Sequence, residues 1–319
     1  GRAMRESWKL AALGALAIGL IALFMTIDGS GNWDYILPRR AKKIAAIILT
    51  GAAISISTVV FQTLTNNKIL TPTLIGLDSM YLLLQTAIVF LFGSTVLTSM
   101  AKNVQFALAV GLMMLFAGVL YKLLFKREGN HLYFLLLVGI ICGTFFSSIA
   151  SFMQMLLDPN DFMVVQDKMF ASFNNMNTDV LIVSVVLVLL VLLIFYRDFK
   201  YLDVMALGKE HSVNLGVPHD RITKRLLVAV ALLVAVSTAL VGPVTFLGLL
   251  VSNVAYRLLS TFRHQVVIAG TVLISIVALV GGQLIVERVF TFSTTLSVIL
   301  NFIGGIYFLY LLLKESKAT

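Results

Sequence analysis

Residues 226–256 have the sequence LLVAVALLVAVSTALVGPVTFLGLLVSNVAY, which contains no Asp, Glu, Lys or Arg in 31 residues. One helical crossing of a bilayer takes about 20 apolar residues. The Gly242-Pro243 pair near the middle is typical of a helix break, because glycine tolerates unusual backbone angles and proline lacks an N–H donor. The stretch therefore predicts either one long kinked helix or two short helices joined by a tight turn.

The same separation of charged and apolar residues extends along the whole chain. All 39 charged residues lie within 110 positions, and the other 209 form nine uncharged stretches: 10–27, 44–67, 79–101, 103–121, 129–157, 180–196, 226–256, 264–286 and 289–313. A charge at the centre of a bilayer costs about 2.5–3.5 kcal/mol. Only 12% of the residues are charged, compared with about 25% in a typical soluble domain. We therefore expect a single all-α polytopic membrane domain over residues 1–319.

The positions of Lys and Arg discriminate between the two interpretations of residues 226–256. Two crossings there place 17 cations, Lys126 and Arg127 included, on the side of the N-terminus and seven on the other, whereas one crossing gives 14 against 10. Cytoplasmic loops carry an excess of Lys and Arg. The sequence thus predicts ten transmembrane helices with both termini in the cytoplasm. The net charge of +9 then indicates membrane lipid, and not nucleic acid, as the surrounding partner.

Two predicted outer segments are unusual. Arg39, Arg40, Lys42 and Lys43 lie together against the charge bias, and they could either anchor a helix at the interface or form a basic platform for an acidic partner. The outer loop 158–179 combines four Asp residues with interspersed Phe and Met. We expect a short helix on the outer face there, with solvated carboxylates.

The longest predicted cytoplasmic loop has helical periodicity over residues 203–217. Leu207 and Leu215 fall near one face, and Gly208 and Gly216 are placed to end short helices. A solvated loop does not need closely spaced apolar residues. The segment could lie along the membrane surface or dock into a groove on a soluble partner.

A stripe of small residues marks the fifth predicted span. Gly139, Gly143, Ser147 and Ser151 recur at four-residue spacing, which places them on one helix face. Such a face allows close helix packing, and it could equally line a translocation path; the sequence leaves both open.

The predicted inner segment 66–76 has polar groups at membrane depth. A non-helical backbone at that depth is tolerated only where it lies against protein or a water-filled cavity. This makes the segment a gate candidate.

The sequence lacks the residue patterns for proton relay, nucleotide binding and metal binding. The uncharged stretches offer no acid or base for a proton relay, and no GxxxxGK[ST] nucleotide loop is present. Cys142 stands alone, and the four histidines are scattered: His131, His211, His219 and His264. The sequence therefore predicts a transport subunit without metal or enzymatic activity, which takes its energy from another protein. The alternative, an ion-coupled secondary transporter of a small hydrophilic solute, would need coupling-ion ligands near midspan.

Four segments, in order, resemble the permease subunits of type II ABC importers, the iron–siderophore and vitamin B12 uptake family. They are Arg40-Ala41-Lys42-Lys43 ahead of Gly51-Ala52-Ala53-Ile54-Ser55-Ile56-Ser57, then Asn67 to Gly76, then Ala206 to Val217, and Gly242-Pro243-Val244-Thr245-Phe246-Leu247-Gly248-Leu249-Leu250-Val251. The chain departs from the family pattern at Lys68, Thr71 and Ser252-Asn253. The last variant resembles a subgroup that handles catecholate-type siderophores and often uses two different permeases.

The resemblance implies a multi-pass permease of a bacterial cytoplasmic membrane that imports an Fe(III)-siderophore by alternating access. It implies a second permease subunit, with a heterodimer favoured over a homodimer, together with two ATP-binding subunits and an extracytoplasmic substrate-binding protein or lipoprotein. ATP and Mg²⁺ would bind to the ATPase partner, and this chain would hold no cofactor.

The resemblance also assigns roles to individual residues. The residues expected to dock the binding protein are Arg40, Lys43 and Arg288. Those expected at the cytoplasmic gate are Asn67, Ile69 and Pro72. Those expected to couple to the ATPase, within residues 203–217, are Ala206, Leu207, Gly208, Glu210, His211, Leu215 and Gly216.

Overall fold

The structure is a computed structural model that describes residues 1–29, 31–125, 132–292 and 294–318. Within these ranges all regular structure is helical, with one 3-10 turn at Pro72–Ile75. The α-helices are α1 (Arg2–Thr26), α2 (Trp33–Thr65), α3 (Leu77–Phe92), α4 (Ser94–Ser99), α5 (Lys102–Phe125), α6 (Leu132–Met155), α7 (Pro159–Lys168), α8 (Thr178–Ile194), α9 (Tyr196–Phe199), α10 (Leu202–Met205), α11 (Lys209–Asn214), α12 (His219–Val241), α13 (Leu247–Leu258), α14 (His264–Arg288) and α15 (Leu296–Ala318). Lys126, Arg127 and His131, which entered the sequence analysis, lie outside the described residues.

Seven of these helices are long and apolar enough to cross a membrane: α1, α2, α5, α6, α12, α14 and α15. Three more apolar helices are shorter, namely α3, α8 and α13. The all-α polytopic membrane fold predicted from the sequence is thereby confirmed. The number of crossings made by the shorter helices stays a prediction.

Residues 226–256 form two separate helices and not one kinked helix. Helix α12 ends at Val241, and Gly242 follows with φ of 98°, a conformation that glycine adopts without strain. The outer loop packs closely here, because the Ser172 N–H donates to the Val241 carbonyl at 2.9 Å. A Cβ atom on Gly242 would lie 3.3 Å from Ala171 Cα. The break therefore ends α12 and gives room for the loop that follows α7.

Helix α2 occupies the centre of the subunit. In its apolar part 78% of the residues are buried in the protein, compared with 11% in α1. It packs against α12, α13, α14 and α8. The helix therefore connects several of the other helices of the subunit.

Small residues of α2 allow α14 to come close. A Cβ atom on Gly51 would lie only 2.7 Å from Ser275 Oγ. One turn further on, the buried Ser55 hydroxyl donates to the Thr271 carbonyl at 3.2 Å. In lipid, where apolar surface gives little driving force for association, such close packing and interhelical hydrogen bonds hold helices together. The small-residue segment that resembles the family pattern thus forms a helix–helix contact.

A buried ion pair joins the outer ends of the same two helices. Lys43 Nζ lies 2.5 Å from Glu287 Oε1, and the two side chains are only 8% and 9% exposed. Gln283 Nε2 donates to the same carboxylate oxygen at 3.2 Å. Since each buried charge is compensated by the other and by this hydrogen bond, the pair is tolerated in a low-dielectric surrounding.

Removing one partner of this pair should therefore destabilise the protein. For Glu287→Gln we expect a loss of about 3–5 kcal/mol, because the Lys43 ammonium stays buried without a counter-charge. The measurement is the apparent unfolding temperature in mild detergent. The double variant Lys43→Met with Glu287→Met should recover most of the loss, since an apolar pair leaves no uncompensated charge. An unchanged unfolding temperature in Glu287→Gln would contradict this account.

Candidate functional site

The small-residue stripe of α6 lines an open groove. Gly139, Gly143, Ser147 and Ser151 all border a cavity of about 670 Å³, whose other wall is formed by residues 73–79. The Ser147 hydroxyl donates to Ser79 Oγ at 3.2 Å. Mostly small and hydroxyl-bearing side chains therefore give this surface the width and polarity that a passage for a bulky polar solute needs.

The same stripe also packs tightly against the predicted gate segment. A Cβ atom on Gly139 would lie 2.7 Å from the Leu74 carbonyl oxygen and 3.1 Å from that of Ile75. Gly76, with φ of 94°, ends the 3-10 turn and lies against Gly143. Neighbouring parts of one face thus pack closely and border an open groove, and the use of that groove as a translocation path stays a prediction.

One carbonyl group of the predicted gate segment accepts hydrogen bonds from two helices. The Lys68 carbonyl accepts hydrogen bonds from Gln62 Nε2 of α2 at 2.7 Å and from Asn253 Nδ2 of α13 at 3.0 Å. The Lys68 ammonium lies 4.3 Å from the centre of the Tyr256 ring, a cation–π contact. Two departures from the family pattern, Lys68 and Asn253, therefore meet in space.

The other predicted gate residues lie along this segment. Asn67 is exposed, and its side-chain oxygen accepts from the Ile69 N–H at 2.9 Å, while Ile69 itself is half-buried. Pro72 is buried and begins the 3-10 turn. The segment is thus an ordered turn whose conformation is set by its own side chains and by its neighbours.

The segment 203–217 contains two short helices, α10 and α11. Gly208 precedes α11 with φ of 99°, and Gly216 follows it with φ of 87°. Both glycines therefore lie at the helix ends that the sequence predicted for them. Leu207 and Leu215 are 58% and 64% exposed, and Val213 is exposed as well. Of the remaining predicted coupling residues, Ala206, Glu210 and His211 are also exposed. Exposed apolar side chains concentrated on a short loop mark an interaction surface.

A chain of hydrogen bonds links this loop to the gate end of α2, and sequence reasoning missed it. Asp203 Oδ1 accepts from the backbone N–H of His264 at 2.8 Å and lies 2.6 Å from His264 Nδ1. The other ring nitrogen, Nε2, lies 2.8 Å from the Thr63 hydroxyl in the last turn of α2. His264 is buried at the start of α14. Since Thr63 and Asp203 are 201 and 61 positions away from it, no local pattern in the sequence signals this cluster.

The predicted docking cations differ in their exposure. Arg288 is exposed and lies 3.5 Å from the Asp28 carboxylate, and Arg40 is half-buried and donates to the Met25 carbonyl at 3.0 Å. Lys43 is buried in its pair with Glu287, and its docking role stays a prediction. Arg39 and Lys42 are more accessible, and they line an outer cleft of about 580 Å³ together with Lys102.

A second outer cavity, of about 280 Å³, holds Lys102 and Lys168. Burial and the neighbouring Lys102 charge lower the pKa of Lys168, which donates to Gln105 Oε1 at 3.4 Å. The two cavities thus form a concave region between the start of α2 and α7 that carries Arg39, Lys42, Lys43, Lys102 and Lys168 together with Asp34 and Asp167.

One carboxylate lies close to the membrane interior. Asp78, in the first turn of α3, accepts from the Thr238 hydroxyl at 3.5 Å and borders a cavity of about 30 Å³ lined by further Ser and Thr hydroxyls. Asp78 lies one residue before the uncharged stretch 79–101, so the pattern of uncharged stretches did not indicate it. In the described part of the chain no three His, Cys, Asp or Glu side chains are grouped as a metal site.

The groove, the gate segment and the exposed loop together define a helical membrane permease. A solved structure described as an inward-facing conformation of a metal-chelate type ABC transporter has the same fold, with a TM-score of 0.82, 20% identity and coverage of 96% of this chain and 98% of that chain. The model of the FecCD transport family matches residues 10–314, and the chain belongs to that family. The identification of a permease of this family from the sequence is confirmed, and the chain is a transport component.

Two curated relatives come from Bacillus subtilis strain 168. The petrobactin import system permease protein YclO is 60% identical over 315 residues, which cover 99% of this chain and 100% of that protein. The petrobactin import system permease protein YclN is 27% identical over 291 residues, which cover 86% of this chain and 85% of that protein.

The hydrogen bonds around His264 should stabilise the inner end of the subunit. For Asp203→Ala we expect a loss of about 1–2 kcal/mol, because the first turn of α14 loses a side-chain acceptor. When Asp203→Ala is combined with Cys142→Ser and Ile69→Cys, the cysteine at position 69 should become more reactive towards a soluble maleimide, because Thr63 and the gate segment lose their link to the loop. Glu210→Ala, an exposed change in the same loop, serves as the control. Equal labelling in both variants would contradict the link.

Proposed function

We propose that this chain is one of two different permease subunits of an ATP-driven importer that carries a ferric catecholate-type siderophore, of the petrobactin kind, across a bacterial cytoplasmic membrane. The observation that carries this proposal is the 60% identity with YclO over the full length of both chains. YclO and YclN bear the name of the same import system, and this chain matches YclO far better. A subunit similar to YclN is therefore the partner that we propose.

The proposed topology has ten crossings with both termini in the cytoplasm. The separation of α12 from α13 supports it, because two crossings in this region give the larger excess of inner cations. With 12 residues, α13 is about 18 Å long. It therefore reaches across only part of the hydrocarbon core, and the loop after Gly242 completes the path inside the protein.

The proposed transport cycle begins at the outer face. Arg40 and Arg288 meet acidic residues of an extracytoplasmic binding protein, and the chelate then enters the groove beside Gly139 and Ser147. The open side of this groove faces away from the rest of the subunit, so a second permease subunit would close it. Fe(III) stays within its chelator as cargo, and the permease needs no metal ligands of its own.

The energy for the proposed cycle comes from an ATP-binding subunit on the cytoplasmic side. The exposed apolar side chains of Leu207, Val213 and Leu215 fit an apolar groove on an ATP-binding subunit, which would hold ATP and Mg²⁺. Movement of this loop would reach the gate segment through Asp203, His264 and Thr63. The three groups connect the loop, α14 and α2, so that one displacement acts on all three elements.

Reconstitution tests the function as a whole. The chain, its YclN-like partner, the ATPase and the binding protein are placed in proteoliposomes, and uptake of ⁵⁵Fe-labelled ferric petrobactin is measured. We expect uptake that requires ATP and the binding protein. Uptake driven by a proton or sodium gradient without the ATPase would instead establish an ion-coupled secondary transporter.

Charge reversal at the outer face should weaken capture of the binding protein. For Arg40→Glu with Arg288→Glu we expect affinity to fall by a factor of about 30 or more, because like charges then face each other across the interface. Surface plasmon resonance on the assembled transporter measures this affinity, and basal ATPase activity should stay unchanged. The control is Lys122→Glu with Arg221→Glu, which makes the same charge change at the opposite face. Wild-type capture by the outer variant would refute the docking role.

Charging the exposed loop should detach the ATPase. We expect Leu207→Asp with Leu215→Asp to abolish co-purification of the ATP-binding subunit, because apolar anchors normally dominate such an interface. Asn214→Asp adds a charge to the same loop without removing an anchor, and it should retain the subunit. If both variants retain the ATPase, the loop is not its docking site.

A further inference from the structure

A large cleft lies beside the start of the 203–217 loop, and of the sites described above it shares His264. Its volume is about 640 Å³, and it lies between the end of α8 with the short α9 and the first turns of α14. The residues that line it are Ile56, Leu192, Tyr196, Arg197, Phe199, Lys200, His264, Gln265 and Ile268. It has an apolar inner part and a polar rim.

The apolar part continues the lipid-facing surface of α8. Leu189, Leu190 and Leu193 are 55%, 47% and 74% exposed on this helix, which carries no charge from Val180 to Ile194. Leu192, on the same helix, lines the cleft. An acyl chain of the bilayer can therefore enter the cleft sideways from the membrane without crossing a polar barrier.

The rim carries two cations that have no carboxylate partner. Arg197 and Lys200 are exposed and follow directly after the apolar part of α8, which places them at the level of the lipid headgroups. The carboxylate between them, Asp198, is buried and already pairs with Arg225 at 2.9 Å. Neither Arg197 nor Lys200 takes part in an ion pair among the described residues. The cleft thus offers positive charge that the protein does not neutralise itself.

We propose that this cleft binds the headgroup and upper acyl chains of an anionic phospholipid. The guanidinium of Arg197 and the ammonium of Lys200 hold the phosphate, since charge-assisted hydrogen bonds to phosphate oxygens are strong. Leu192, Ile56 and Ile268 contact the chains below. Basic pockets between transmembrane helices at the membrane surface have the chemistry that anionic headgroups need. Tyr196 lies at the interface, where amphipathic rings are favoured.

The position of the cleft gives this lipid a role in coupling. His264 forms part of the wall, and the same imidazole joins Asp203 of the loop to Thr63 of α2. A bound lipid holds α9 against α14 and so fixes the distance between the loop and the buried histidine. The lipid site itself requires only that α8 and α14 span the membrane, whereas its effect on coupling rests on the proposed function.

Native mass spectrometry of the purified subunit tests the lipid site directly. The protein is titrated with phosphatidylglycerol in detergent, and the fraction carrying one lipid is measured. We expect Arg197→Gln with Lys200→Gln to weaken binding by a factor of about 30, because each cation near the surface contributes to lipid affinity. The control Lys122→Gln with Arg221→Gln, two exposed cations outside this cleft, should bind as the wild type does.

A second variant separates the cleft from simple surface charge. Ile268→Phe fills the apolar part and keeps both cations, and it should also lose the lipid. Phosphatidylcholine should bind much more weakly than phosphatidylglycerol, and inorganic phosphate should not compete, because it lacks the chains. Equal phosphatidylglycerol binding by wild type and Arg197→Gln with Lys200→Gln would overturn the proposal, as would full competition by inorganic phosphate. Binding here is measured without ATPase or cargo, so its failure is distinct from failure of the proposed function.

Discussion

The lack of water in the hydrocarbon core is the constraint on which this structure depends. Backbone groups at that depth must pair within helices, and charges must either stay at the helix ends or find a partner inside the protein. The chain meets the first demand with its long apolar helices and the second with the buried contact between Lys43 and Glu287. The few places where helices stop early, at Gly76 and Gly242, are covered by other parts of the chain.

Among the described residues, two clusters of polar contacts connect segments that are distant in the sequence. The Lys68 carbonyl receives Gln62 and Asn253, and His264 lies between Asp203 and Thr63. In a low-dielectric surrounding each such hydrogen bond is stronger than in water, and an unpaired group is correspondingly costly. Both clusters end on the inner half of α2. This central helix is therefore connected by hydrogen bonds to the 203–217 loop through His264 and to α13 through the Lys68 carbonyl.

The fold could be predicted from the sequence because lipid imposes a pattern that extends over whole helices. The stretch 226–256 indicated two possible forms, and its glycine–proline pair marked the place where the chain breaks. Helix ends at Gly208 and Gly216 were likewise visible, because left-handed backbone angles favour glycine. Contacts between residues that are distant in the sequence could not be predicted in this way. Glu287 lies 244 positions from Lys43, so the burial of that lysine followed from tertiary packing alone.

The contact between Gly139 and the turn at Leu74 has a consequence for how the subunit can move. At a separation of 2.7 Å from a would-be Cβ atom, no side chain fits between α6 and the turn. The wall of the groove and the turn beside it are consequently in direct backbone contact, with no side chain between them. In the proposed transport cycle, a displacement of α6 would therefore displace the turn as well, so that the two would move as one part.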